Sequence, residues 1–152
     1  MIRDDIMAAL VSAMKSGDKD TVGTLRMLES SIKNRDIELR TAAQRPDDDA
    51  LVTEVMQKMI KQRRESAEMY EKGGRPELAA TELREIATLE RFLPQQMSED
   101  EARAAIAALI AELGATSMKD MGRVMAEVKQ RHATSIEPAK ASALVKALLS
   151  GQ

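Results

Sequence analysis

Apolar residues recur at spacings of three and four along almost the whole chain, the pattern of helices that each bury one face. Ile2, Ile6, Leu10 and Met14, with Met7 and Val11 beside them, line one face of a first predicted helix that stops near Gly17. Asp18 or Asp20 is placed to cap a second, whose stripe is Val22, Leu25, Leu28, Ile32 and Leu39. The stretch Thr41 to Asp49, with Pro46 and a run of aspartates, interrupts the periodicity and is expected to supply the cap of a third. That helix uses Val52, Val55, Met56, Met59, Ile60 and Ala67 and ends at Gly73 and Gly74. Pro76 suits the first position of a fourth, where its missing N–H costs nothing, and Leu78, Leu83, Ile86, Leu89 and Leu93 continue to Pro94.

Three shorter helices follow. Ser98 with Glu101 reads as a capping box at the start of a fifth helix over about Glu99 to Leu113, and Gly114 is placed to close it in the left-handed conformation. Ser117 with Asp120 is an acidic variant of the same box, opening a sixth helix over about Met118 to Arg131, and a seventh runs from about Pro138 to Leu149. Helices of this length are marginal alone, so their apolar sets must pack on one another. Those sets are Ala102, Ile106, Leu109 and Ile110; Met121, Val124, Met125 and Val128; and Leu144, Val145 and Leu148. The predicted fold is all-α, with an N-terminal domain of about four longer helices over residues 1–94 and a small three-helix bundle over residues 95–152. The two are expected to be joined by a hinge.

Composition narrows the chemistry. Tyr70 and Phe92 are the only aromatic residues, so base stacking can scarcely contribute to any nucleic-acid contact. Without Cys there is no disulfide, thiolate nucleophile or Cys-ligated metal. Asp4 and Asp5 break any leader-like start, and the longest apolar run, Ala104 to Ala111, is far shorter than the ~20 residues that span a bilayer. A soluble cytoplasmic protein without membrane partners is expected.

Catalysis has few candidate residues. The single His, His132, falls in a predicted loop and reads as a surface residue, so no His pair can be built. Glu82, Glu85 and Glu90 lie among basic residues and read as a solvated helix face. Gly73 and Gly74 lack the upstream strand and following Lys-Ser/Thr of a nucleotide loop. No catalytic residue, metal or cofactor is expected. Met118, Met121 and Met125 form a stripe that reads as core. Lys61, Arg63 and Arg64 are followed by Glu65 and Glu68, so pairing within the helix is expected there.

The tail is different, because residues 115 to 152 hold twice as many Lys and Arg as Asp and Glu. Lys119 and Arg123 share a helical face beside the sixth-helix start, where a phosphate would find two cations and a helix N-terminus. Lys129, Arg131 and Lys140 extend the candidate surface, with Lys146 beyond. Capping and core packing account for Gly114, Ser117, Asp120 and the Met stripe, which leaves Lys119 and Arg123 as the two residues that folding does not explain.

The segment Gly114 to Met125 resembles the signature of the GatB/YqeY proteins, which comprise small stand-alone YqeY-like proteins and the C-terminal tail of the B subunit of glutamine-dependent aminoacyl-tRNA amidotransferases. Thr24 to Leu28 with Ile32, Lys33 and Asn34, and Lys61 to Ser66 leading through Glu90 to Pro94, carry the resemblance in the same order across nearly the whole length. In the amidotransferases the tail helps hold tRNA while the amide is made in other domains, which this chain does not contain. The resemblance therefore implies a non-catalytic tRNA-binding or amidotransferase-associated accessory protein. The stretch His132 to Pro138 lacks the glycine that relatives often carry there, so any ligand contact they make at that loop is not carried over. The contrasting expectation is a helical adaptor that docks on a synthetase or an amidotransferase complex and makes no RNA contact. A contiguous apolar patch outside the cores would mark the adaptor, and a basic strip would mark the RNA binder.

Overall fold

Seven α-helices are present among the described residues: α1 (Ile2–Ser16), α2 (Lys19–Glu38), α3 (Asp48–Lys72), α4 (Pro76–Glu90), α5 (Glu99–Leu113), α6 (Met121–His132) and α7 (Pro138–Leu149). The computed structural model describes residues 1–151, and among these there is no strand. Short 3-10 turns cover Leu39–Thr41 and Met118–Asp120. The all-α prediction is therefore correct. Internal contacts fall into two units, Met1–Leu93 and Pro94–Gln152.

In the first unit α3 packs along α4, while α2 packs on α1 and α3. Leu25, Leu28, Leu51, Val52, Met56 and Leu89 are fully enclosed at its centre, with Ile6 from α1 and Ile86 from α4. Each such aliphatic side chain contributes about 1.5–3 kcal/mol by leaving water. Gly17 takes the left-handed conformation at φ 72°, and Asp18 Oδ1 accepts from the Thr21 N–H at 3.2 Å, closing α1 and capping α2 as expected.

Three expectations need correction in this unit. Met7, Val11 and Met14 are exposed, and the buried face of α1 is instead Ile6, Leu10 and Ala13. The small Ala13 fits where a Met was assigned, because α2 and α3 cover α1 along the 6-10-13 line. In α4, Leu83 is likewise exposed and Ala79 is buried. The aspartates before α3 make no side-chain cap, although Asp47 stands at the cap position. Asp48 instead receives Arg3 (Nη2–Oδ1 2.8 Å), and Asp49 Oδ1 accepts from the Ile2 N–H at 3.0 Å. Arg3 also reaches Asp36 at 3.0 Å, so one guanidinium ties together the start of α1, the end of α2 and the start of α3. Arg45 joins Asp36 as well.

The second unit is built from shorter helices with stronger local punctuation. Ser98 Oγ accepts from the Glu101 N–H at 3.1 Å, and Glu101 Oε1 accepts in return from the Ser98 N–H at 3.1 Å, the predicted capping box. Val124, Val145 and Ile106 are fully buried among Ala102, Leu109, Val128, Ala141, Leu144 and Leu149. Ile136, from the connection between α6 and α7, joins this core at 5% exposure. That connection is thus anchored by an apolar side chain, and the Met97 N–H donates to the Ser135 carbonyl at 2.9 Å beside it. His132, expected in a loop, is the last residue of α6, and its carbonyl accepts from the Ser135 and Ile136 N–H groups. Met121 and Met125 pack against the core as expected, but Met118 is 41% exposed.

Candidate functional site

At the α5–α6 corner Thr116, Ser117, Asp120 and Arg123 are tied to one another and to the end of α5. Gly114 stands at φ 65°, and the Ala115 N–H returns to the Ile110 carbonyl at 3.0 Å, which closes α5. Asp120 Oδ2 accepts from the Thr116 and Ser117 N–H groups at 2.9 and 3.3 Å, while Ser117 Oγ accepts from the Lys119 N–H at 3.4 Å. Arg123 donates through Nη1 to the Leu113 carbonyl at 2.8 Å and through Nη2 to Asp120 Oδ1 at 3.1 Å. It caps the end of α5 and locks the carboxylate at the start of the next helix. Folding therefore does explain Arg123, contrary to the expectation from sequence. These same hydrogen bonds, from Thr116 first and then Arg123 and Ser117, hold the Asp120 carboxyl below its ordinary range. An anion arriving at these N–H groups would meet a carboxylate already seated on them.

Arg131 is engaged in the same way. Its guanidinium forms a two-pronged contact with Glu112 of α5 at 2.8 and 3.0 Å and meets Glu127 at 3.1 Å. The Glu112 carboxyl is lowered by that contact and the guanidinium is raised by it. Lys119, Lys129, Lys140 and Lys146 are exposed, and none is part of an ion pair among the described residues. Lys119 lies in the turn before α6 and Arg123 in its first turn, whereas Lys129 and Arg131 lie in its last turn, about 9–12 Å beyond Arg123 along the axis. Lys140 opens α7 on the other side of the Ala133 to Glu137 connection from Lys129. The five cations are thus spread over the two ends of α6 and the start of α7.

A polar groove of about 310 Å³ between α2 and α3 was not foreseen. Ser31, Asn34, Arg35 and Glu38 come from α2, and Glu54, Lys58 and Gln62 from α3. Arg35 spans it, donating to Glu38 at 2.9 Å and to Glu54 at 3.4 Å, while its Nε is buried without a partner. The signal lay in the spacing 31, 34, 35 and 38, a polar stripe at helical period beside the buried Leu28 and Ile32. Further along α3, the expected pairing within the helix is replaced by pairing between helices. Arg63 binds Glu85 of α4 at 2.8 Å and Arg64 reaches Glu90 at 3.5 Å. Glu82 and Glu85 are half-buried, not a solvated face, and burial followed by the Glu85 charge pushes the Glu82 carboxyl up. Among the described residues there is no metal-holding cluster of His, Cys, Asp or Glu, and no helix is long and apolar enough to cross a membrane.

The family profile described as Yqey-like protein matches residues 3–149, which takes in both units and all three segments that carry the sequence resemblance. The chain belongs to this family. An uncharacterized protein of Schizosaccharomyces pombe is similar to it, 35% identical over 94 residues that make up 61% of this chain and 72% of that protein.

In this YqeY-like chain the three segments have distinct structural duties. Thr24 to Asn34 gives α2 its buried Thr24, Leu25, Leu28 and Ile32 together with one wall of the polar groove. Lys61 to Ser66 faces α4 through the Arg63 and Arg64 pairs. Gly114 to Met125 makes the corner that Asp120 and Arg123 close.

Proposed function

We propose that this protein is a non-catalytic accessory module that contacts the phosphate backbone of RNA, with tRNA the first candidate, through the lysines of its second unit. One observation carries the proposal: Arg123 and Arg131 occupy Asp120, Glu112 and Glu127, while the neighbouring Lys119, Lys129, Lys140 and Lys146 are exposed and enter no ion pair among the described residues. A lysine ammonium is a mobile point charge suited to phosphate, whereas a guanidinium already forked onto a carboxylate is not available. The two arginines accordingly move from phosphate contacts to supports of the surface. The sequence resemblance supplies tRNA as the candidate and an amidotransferase complex as the setting in which a weak binder would act. With four dispersed lysines and almost no aromatic surface, affinity is salt-sensitive and indifferent to sequence.

The test is binding of the full chain to unfractionated tRNA and to double-stranded DNA of equal length across a salt series. Binding to tRNA is expected to fall with salt, with a slope of roughly 0.7 to 0.9 per phosphate contact. Replacing Lys119, Lys129, Lys140 and Lys146 together by Gln should remove it while leaving the helical signal unchanged. If the parent protein binds no tRNA at low salt, or the four-lysine variant binds as well as the parent, the RNA proposal fails. The adaptor reading then takes its place.

A further inference from the structure

Helix α1 carries two apolar faces, and only one of them is used by the fold. Ile6, Leu10 and Ala13 are buried against α2 and α3. Met7, Val11 and Met14 are 48%, 42% and 52% exposed, and Ala8 beside them is exposed as well. At 3.6 residues per turn, Asp4, Met7, Ala8, Val11, Met14 and Lys15 fall within an arc of about 120°, turned away from the buried line. This outer stripe is acidic at its start, apolar along its middle and basic at its end. Among the described residues Asp4 pairs with the terminal amine, at 3.9 Å, and Lys15 enters no ion pair.

We propose that the outer stripe of α1 pairs with the same stripe of a second copy of this chain, the two helices running antiparallel about a two-fold axis. Such an axis passing between positions 9 and 10 sets Asp4 against the partner copy's Lys15, and Lys15 against its Asp4. It sets Val11 against the small Ala8 of the other copy, so that the backbones approach closely while Met7 and Met14 flank the seam. A self-complementary patch of this kind is what a two-fold interface requires. The antiparallel order also places each positive helix N-terminus beside a negative C-terminus, which favours it over the parallel one. Methionine suits such a seam because its flexible thioether adapts to an imperfect fit. A contact between two single helices is smaller than the roughly 1,200 Å² of stable interfaces, so the dimer is reversible and concentration-dependent.

Sedimentation equilibrium on the full chain over a wide concentration range tests this, beginning from the monomer mass of 16.7 kDa. The mass of the parent is expected to rise toward twice that value. Val11→Glu, at an exposed position beside the axis, should weaken association at least tenfold with an unchanged thermal melt. Two charge variants then test the direction: Asp4→Lys alone and Lys15→Glu alone should each associate less than the parent, whereas an equimolar mixture should recover association through the matched pairs. A parent that stays monomeric throughout overturns the proposal. So does a Val11→Glu protein that associates like the parent, or a mixture that recovers nothing.

Discussion

In Met1–Leu93, Arg3, Arg35, Arg63 and Arg64 bind carboxylates of other helices, whereas in the second unit Arg131 does so and Arg123 binds the last carbonyl of a helix. Arg3 joins α1 to Asp36 and Asp48, Arg35 joins α2 to Glu54, and Arg63 joins α3 to Glu85. In the second unit Arg123 caps α5 and holds Asp120, and Arg131 ties the last turn of α6 to Glu112 in α5. The helix starts differ as well. The 20 and 25 residues of α2 and α3 bury enough side chains to stand without elaborate caps, and α3 has no side-chain cap at all. The 15-residue α5 and the 3-10 turn that leads into α6 follow capping boxes, whereas the equally short α1, α4 and α7 have no side-chain cap, so the boxes belong to these two helix starts and not to short helices as a class.

The comparison is broken most forcefully through the cores. Ile106→Ala and Leu28→Ala each remove a fully buried side chain and should each cost about 2–5 kcal/mol. The smaller unit has less stability to lose, so Ile106→Ala should abolish its cooperative transition in a urea melt followed by circular dichroism. A loss below about 1 kcal/mol would show that the second unit rests on its caps and not on its core. The next effect belongs to the cross-helix arginines. Arg63→Met leaves the half-buried Glu85 without its partner and should cost about 1–3 kcal/mol, whereas Arg64→Met, at an exposed pair, should cost less than about 0.5 kcal/mol. Equal losses would remove the distinction between them.

Glycine substitutions sharpen the contrast at the corner. Gly114→Ala forces a side chain into the left-handed region and should destabilise by about 1 kcal/mol. Gly122→Ala, within α6 and facing open space, should stabilise by roughly 0.5 kcal/mol, so thermal melts of the two should move in opposite directions.

Acid offers a further contrast. Glu101, Glu112 and Asp120 have carboxyls lowered by Ser98, Arg131 and Thr116 respectively. Their contribution is complete above the unfolded carboxylate range near pH 4 and is lost as pH falls through the lowered values. Glu82, raised by burial and by Glu85, has the opposite sign: it favours folding when protonated and loses that contribution as pH rises through its folded value. Melting temperatures between neutral pH and pH 3 should therefore fall less in Asp120→Asn, which has no such proton to gain, than in the parent. The smallest effect is expected from Lys119→Gln, within about 0.5 kcal/mol of the parent. Arg123→Gln should cost on the order of 1 kcal/mol, because the Leu113 carbonyl loses its donor.

What could be read in advance follows the same division. Gly114, Ser98 with Glu101 and Ser117 with Asp120 act within four residues of themselves, so their geometry was legible from spacing alone. The Arg63–Glu85 and Arg3–Asp48 pairs join positions 22 and 45 apart, and no local pattern announces them. The exposed stripe of α1 was misjudged for a related reason. Met7, Val11 and Met14 have helical spacing as good as Ile6, Leu10 and Ala13, and periodicity does not say which of two apolar lines meets the core. For the candidate site, sequence identified the cations of the tail but did not separate the arginines that have partners from the lysines that lack them.

That separation extends to the whole chain, since each ion pair among the described residues uses a guanidinium or the terminal amine and none uses a lysine. Acylation of the lysines would consequently strip a large part of the positive charge without opening one ion pair. The surface potential of this protein is adjustable by chemistry at its lysines, while the ion pairs that its arginines make between helices are left in place.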